Sequence, residues 1–139
     1  MNTTYRDQPP AIRIEANPKR VRAMFAGHVI ADTIEALTVH ERGKNPVQYV
    51  PRQDVETGYL GKTDQVTYSA DIGEACYFTI VMEGEIIEKA IWSYEQPVDE
   101  AAALKGYMAF SPRWFEVYEL SERDMLMAPR ANHVHGGAA

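Results

Sequence analysis

The chain predicts a mostly β domain: two small antiparallel sheets packed against each other, with one short helix near residues 98–105. Three observations carry that prediction. Segments such as Ile12-Arg13-Ile14-Glu15 alternate apolar and charged residues, the period-two pattern of a half-buried strand. Gly27 and Gly84 each stand between two such segments, where a residue that accepts positive φ can close a hairpin. The one good helical run is Val98 to Lys105, bounded by Pro97 and Gly106.

Taken in order, Ile12 to Glu15 is the first strand, ended by the Asn17-Pro18 turn signal. Val21 to Ala26 can extend with Val21, Ala23 and Phe25 on one side and Arg20 and Arg22 on the other. Gly27 then reverses the chain into His28 to Ala31. Ala36 to His40 and Val47 to Val50 are further strand candidates, the second stopped by Pro51, which has no N–H for a central ladder. Gly58 and Gly61 break the next stretch, after which Gln65 to Ser69 and Ala75 to Met82 are rich in β-formers. Gly84 makes the second reversal. Phe25 to Ala31 can be laid on Met82 to Glu88, each copy reading strand, glycine turn, strand. From Ile86 the chain extends to Pro97, and after the helical run it extends again at Tyr107 to Phe110. Trp92, Tyr94, Tyr107 and Phe110 lie close together in this stretch, enough aromatic surface to organise a small core. Arg113 to Glu119 is the last strand candidate, with Trp114 and Phe115 on opposite faces.

The 139 residues fit one domain. Residues 1–10 read as a flexible arm, 11–120 as a single β domain, and 121–139 as a short helix capped by Ser121 with Asp124 and then a disordered tail. No apolar run is long enough for a membrane-spanning helix. The first ten residues have neither the apolar core nor the basic flank of a signal peptide. The single cysteine, Cys76, leaves no internal disulfide framework and no cysteine zinc finger. These features point to the cytoplasm. A net charge of −6 is opposed to broad phosphate-backbone binding, although Lys19, Arg20 and Arg22 make one local basic cluster. The expected partners are therefore a small-molecule ligand or a second copy of the chain, not nucleic acid and not a membrane.

Three segments together resemble the domain of unknown function 427 family, also labelled nucleotidyltransferase-9-like. They are Tyr49-Val50-Pro51-Arg52-Gln53-Asp54-Val55, Ile91-Trp92-Ser93-Tyr94-Glu95-Gln96-Pro97 and Gly106-Tyr107-Met108-Ala109-Phe110. The resemblance spans about Ile12 to Tyr118. It implies a β fold of two small sheets similar to the β-tent or Mss4-like architecture, and no defined reaction. One family segment, T-x-C-P-Y-K-G-x-A-x-Y, is altered here. It reads Thr67-Tyr68-Ser69-Ala70-Asp71-Ile72-Gly73-Glu74-Ala75-Cys76-Tyr77, so Ser69 and Ile72 replace the family's cysteine and lysine. A thiolate nucleophile or a phosphate-holding lysine is absent at those two positions. Catalytic residues and cofactors are accordingly unassigned.

The candidate ligand-binding residues are Tyr49, Arg52, Asp54, Tyr68, Trp92 and Tyr94. In an extended segment Arg52 and Asp54 point to the same side. An arginine fork there can grip a carboxylate or phosphate, with the aspartate orienting it. Trp92 and Tyr94, also two apart on a strand, share a face. With Tyr49 they would line an aromatic pocket between the two sheets, with Arg52 at its mouth. Core packing is the competing role for the two rings, and a surface ion pair the competing role for Arg52. Glu95 beside the rings has the environment of a general acid, or simply that of a turn carboxylate. Asp64, Asp71 and Glu74 lack a D-x-D spacing, and no metal site is expected. Gly58 to Thr63 ends like a P-loop, but Glu56 stands where its first glycine belongs and a strand follows where a helix should. His133 and His135 lack a third ligand. Three functions stay open: a binding module for an anionic or nucleotide-like small molecule, a transferase, and an interaction domain or homodimer.

Overall fold

The structure, a computed structural model, describes residues 11–121. The expected arm at 1–10, the helix after Ser121 and the tail carrying His133 and His135 lie outside the described residues. Among the described residues the strands are β1 (Ile12–Ala16), β2 (Val21–Phe25), β3 (His28–Thr33), β4 (Leu37–Glu41), β5 (Val47–Pro51), β6 (Leu60–Ser69), β7 (Gly73–Met82), β8 (Glu85–Pro97), β9 (Tyr107–Phe110) and β10 (Glu116–Glu119). They form two antiparallel sheets, one of seven strands in the order β1-β4-β5-β9-β8-β7-β6 and one of three in the order β10-β2-β3. The fold class is mostly β, as the sequence predicts. No helix among the described residues is long and apolar enough to cross a membrane.

Each of the two glycine reversals is a two-residue hairpin. Ala26 and Gly27 have φ of 50° and 82°, and Glu83 and Gly84 have 56° and 76°. Positive φ at both central residues is the type I′ geometry, whose twist matches that of the flanking strands. One hairpin, β2–β3, belongs to the small sheet, and the other, β7–β8, to the large one. Gly73 is needed as well. Its φ is 126°, a conformation that residues with a side chain rarely adopt, and a Cβ there would also crowd the Gln96 carbonyl oxygen at 3.1 Å and the Pro97 Cα at 3.2 Å.

Two apolar clusters result from strand alternation. Between the sheets, Ala23, Phe25 and Ile30 meet Val50, Phe78, Ile80, Ile91, Phe110 and Phe115. The neighbours of these residues on the large sheet, Tyr49, Ala75, Tyr94 and Ala109, turn to the other face and pack with Val39, Ala101 and Leu104. The aromatic stretch is therefore divided. Tyr107 and Phe110 are three apart on β9, so Phe110 enters the core between the sheets while Tyr107, Trp92 and Tyr94 join the outer cluster.

Several sequence expectations are adjusted. The helical run is a 3-10 segment, Asp99–Leu104, with non-helical φ at Ala101. Ala101 and Leu104 are its buried residues, one at the kink and one at the end of the second turn. β6 starts five residues earlier than the expected Gln65, because Gly61 is tolerated on an edge strand paired only with β7. The last strand is shorter than expected. The amides of Trp114 and Phe115 both bond to the Ser111 carbonyl, which folds this stretch into a turn. Phe115 thereby stacks on Phe110 and Phe25 at 5.1 and 5.5 Å, and Trp114 stays outside. Both faces of β2 are covered. Arg22 is buried beside Asp32, its partner across the β2–β3 ladder, and Arg20 makes two 2.7 Å hydrogen bonds to the same carboxylate. The expected basic cluster is thus largely an inward ion network.

Candidate functional site: an aromatic cleft on the large sheet

The ladder between β7 and β8 sets Tyr77 opposite Trp92 and Ala75 opposite Tyr94. The ladder between β6 and β7 sets Thr67 opposite Ala75. Side chains directly opposite share a face, so these residues all project to the side away from the small sheet. Tyr49 reaches the same side from β5. Its hydroxyl accepts a 3.0 Å hydrogen bond from Trp92 Nε1, and its ring centroid lies 6.4 Å from those of both Trp92 and Tyr94. Around these rings opens a cleft of about 430 Å³, lined by Tyr49, Tyr68, Tyr77, Trp92 and Tyr94 with Thr67, Ser69, Ser111, Glu41, Lys44 and Lys89.

The polar atoms of the cleft are unequally used. Tyr77 and Thr67 share a 2.9 Å hydroxyl–hydroxyl hydrogen bond, and Lys44 lies 3.5 Å from Glu41. The Tyr94 hydroxyl has no hydrogen-bond partner among the described residues. Burial pushes the Tyr49 phenol well above the ordinary range and pushes Tyr94 up to about 12, so both are neutral at physiological pH. Lys89 places its ammonium 5.5 Å from the centroid of the Tyr77 ring.

Four of the six candidate residues, Tyr49, Tyr68, Trp92 and Tyr94, are brought together here. Arg52 and Asp54 are not. They sit in a 3-10 turn, Arg52–Asp54, rather than in an extended segment, so residues two apart diverge. Asp54 accepts a 2.7 Å hydrogen bond from Thr33 of the small sheet. Arg52 turns over the Phe78 ring, 5.6 Å from its centroid, and donates to Glu95 at 3.1 Å. Lys62 donates to the other Glu95 oxygen at 2.8 Å. The Lys62 hydrogen bond, joined by the one from Arg52, holds the Glu95 carboxyl below its ordinary range, the reverse of what a general acid needs. Glu95 reaches this side by strand alternation, two residues on from Ser93 and four from Ile91, and it is the extra residue of β8 between the Glu74–Gln96 and Ala75–Tyr94 pairs. Nothing in residue order announces that bulge.

The sequence places the aromatic pocket between the two sheets, but Tyr49, Trp92 and Tyr94 face away from the small sheet, because strand alternation gives the inner face to Val50, Ile91 and Phe110. A second cleft of about 530 Å³ is lined by Val47 and Gln48, by Trp92 and Phe110, and by Phe115 to Glu119. Trp92 is the one candidate residue it contains, and it borders both clefts. Of the altered motif, Ser69 lines the aromatic cleft, whereas Ile72 is fully buried. Cys76 faces the opposite way from Tyr77, and burial pushes its thiol above the ordinary value. Among the described residues no three His, Cys, Asp or Glu side chains gather where a metal ion could be held. Sequence reasoning missed Tyr77 and Lys89. Tyr77 was recoverable, since a β7–β8 hairpin through Glu83-Gly84 brings it near Trp92. Lys89 was not, because its position depends on a second bulge.

Residues 13–121 match a family model described as a domain of unknown function, DUF427. No curated protein matches the chain.

Proposed function

The chain belongs to the domain of unknown function 427 family, and from that premise we propose that it is a binding domain for a small, flat, anionic or nucleotide-like molecule held in the aromatic cleft. The carrying observation is the convergence, in one cleft of about 430 Å³, of five aromatic side chains with hydroxyl and ammonium groups. Clefts of this size and composition suit small ligands: the rings supply contact area and a few polar groups fix orientation. The rings are held in place, since Tyr49 is buried and tied to Trp92. A transferase reading has less support, because Ser69 and the buried Ile72 occupy the positions of the family's cysteine and lysine. The two packed antiparallel sheets support assigning the β-tent, Mss4-like architecture, and the single cysteine supports a cytoplasmic setting.

The test is a thermal-shift screen of nucleotides and aromatic acids, followed by titration of the hits. A ligand present at 100 times its dissociation constant stabilises the fold by about 2.7 kcal/mol. Tyr94→Ala should weaken any hit at least tenfold, roughly the loss of one ring contact. Hits whose affinity is indifferent to Tyr94→Ala would place the site elsewhere. One observation favours a second reading, self-association. Edge strand β6 exposes Val66 and Tyr68, which are 51% and 74% accessible. Sedimentation of the wild type against a Tyr68→Lys variant separates the two: a monomer in both leaves binding alone.

A further inference from the structure

Among the described residues, three that are not glycine hold positive φ: Ala26, Glu83 and Lys89. The first two are required by type I′ turns. Lys89, at φ 54°, lies in the middle of a strand. The cause is a bulge. Phe78 pairs with Ile91 and Ile80 with Ile87, so Thr79 alone on β7 stands opposite Glu88, Lys89 and Ala90. Ala90 is fully buried, and its carbonyl accepts a 2.9 Å hydrogen bond from the Ser111 amide, which fixes the far side of the bulge. A left-handed conformation in a residue with a long side chain is strained, and it persists only where the surroundings impose it. Here the bulge brings the lysine to the rim of the aromatic cleft, over Tyr77.

We propose that Lys89 is the anion-reading residue of the cleft, and that the ligand is a planar ring compound bearing one oxyanion, carboxylate or phosphate. This deepens, and rests on, the assignment of the cleft as a binding site. Two lysines line the cleft, but Lys44 is already neutralised by Glu41 at 3.5 Å. Lys89 has no carboxylate within ion-pair distance among the described residues, and its ammonium lies over the Tyr77 ring face. An ammonium over a ring keeps its outward N–H groups available, so an oxyanion can bind without displacing an internal partner. Among the described residues the cleft is thus left with one unpaired cation, in a protein whose net charge is −6. That balance selects a single anionic group. It disfavours polyphosphates, whose further charges would find only the Lys44–Glu41 pair. The rings beside Lys89, Tyr77 and Trp92, offer the flat surface for the rest of the molecule.

The experiment uses paired probes on the full chain: adenosine monophosphate with adenosine, and indole carboxylate with indole, followed by calorimetry and by tryptophan fluorescence. Three variants are compared, Lys89→Gln, Lys89→Arg and Lys89→Gly. The expected result is that the charged member of at least one pair binds more tightly than its neutral counterpart. Lys89→Gln should erase that difference, a loss of roughly ten- to a hundredfold, and Lys89→Arg should keep most of it. Lys89→Gly relieves the strained backbone, so its melting temperature should equal or exceed the wild type's while charge discrimination disappears. That combination separates an anion anchor from a structural role. Equal binding of charged and neutral probes in the wild type, or discrimination that survives Lys89→Gln, overturns the role of Lys89 and leaves the cleft as a neutral-ring site. Binding of no probe, charged or neutral, overturns the cleft assignment together with this inference.

Discussion

The chemistry of single residues decides which side chains are structural here. Asp32 is the clearest case. Burial raises its carboxyl's value, but hydrogen bonds from Arg20 and Arg22 outweigh that, and the net shift is below the ordinary 3.8. A carboxylate depressed in the folded state contributes stability that is fully present above its unfolded value. That contribution is lost as pH falls through the lower folded value. Acid unfolding should therefore steepen below about pH 4. Asp32→Asn should cost about 3–5 kcal/mol at neutral pH by leaving two arginines facing a neutral amide, and should flatten the acid limb. Denaturant melts at several pH values check both. Arg52 is expected to behave differently from a ligand anchor. Its partner Glu95 is shared with Lys62, and its guanidinium is partly exposed. Arg52→Ala should cost about 0.5–1 kcal/mol, the scale of an exposed pair with a ring contact, and should leave cleft binding unchanged. Cys76 should react slowly with alkylating agents at neutral pH, because burial disfavours its thiolate. The rate should rise only above the ordinary thiol range; fast stoichiometric labelling at pH 7 would contradict this.

At the scale of elements, what was legible in the sequence follows from how local each signal is. The two hairpins could be read because a type I′ turn is decided by two adjacent residues, Ala26-Gly27 and Glu83-Gly84. Asparagine takes the first of these positions more readily than alanine does. Ala26→Asn should raise stability by a few tenths to about 1 kcal/mol, readable as a higher melting temperature. Gly27→Ala should lower it by about 1 kcal/mol, although the space around Gly27 is open, since the cost lies in φ alone. The shared face of Trp92 and Tyr94 was equally legible, because it depends only on a spacing of two. Which face they share was not. That depends on the ladder order β9-β8-β7, a long-range property. The bulges at Glu95 and Lys89 were illegible for the same reason, since each exists only relative to the register of β7. Arg52 and Asp54 were assigned to one side on the assumption of an extended chain, and a single 3-10 turn undid that assumption.

For the whole molecule, the two sheets are joined by more than their apolar core. Ala31 of β3 bridges to Val55, the Glu56 amide bonds to the Ile30 carbonyl at 2.8 Å, and Thr33 bonds to Asp54. At the hairpin tips His28 lies 2.6 Å from Glu83. The turn that carries Arg52 and Asp54 is thus the seam between sheets, which gives it a structural reason to exist apart from any ligand. Among the described residues, the outer face of the large sheet is covered only in part, by Ala101 and Leu104 of the 3-10 segment, and beside that cover Trp92, Tyr77 and Tyr68 border the open cleft.

The proposed binding site lies on that outer face, in the cleft beside Trp92 and Tyr94. The most direct measurement is an NMR titration of the nitrogen-labelled protein with the tightest binder of a nucleotide and aromatic-acid panel. The largest shifts should fall at the Trp92 indole N–H and at the amides of Thr67, Tyr68, Ser69, Tyr77 and Tyr94. Arg52, Lys62 and Glu95 should stay still. Shifts centred instead on Arg52 and Glu95, or on Phe115 to Glu119 around the second cleft, would contradict it.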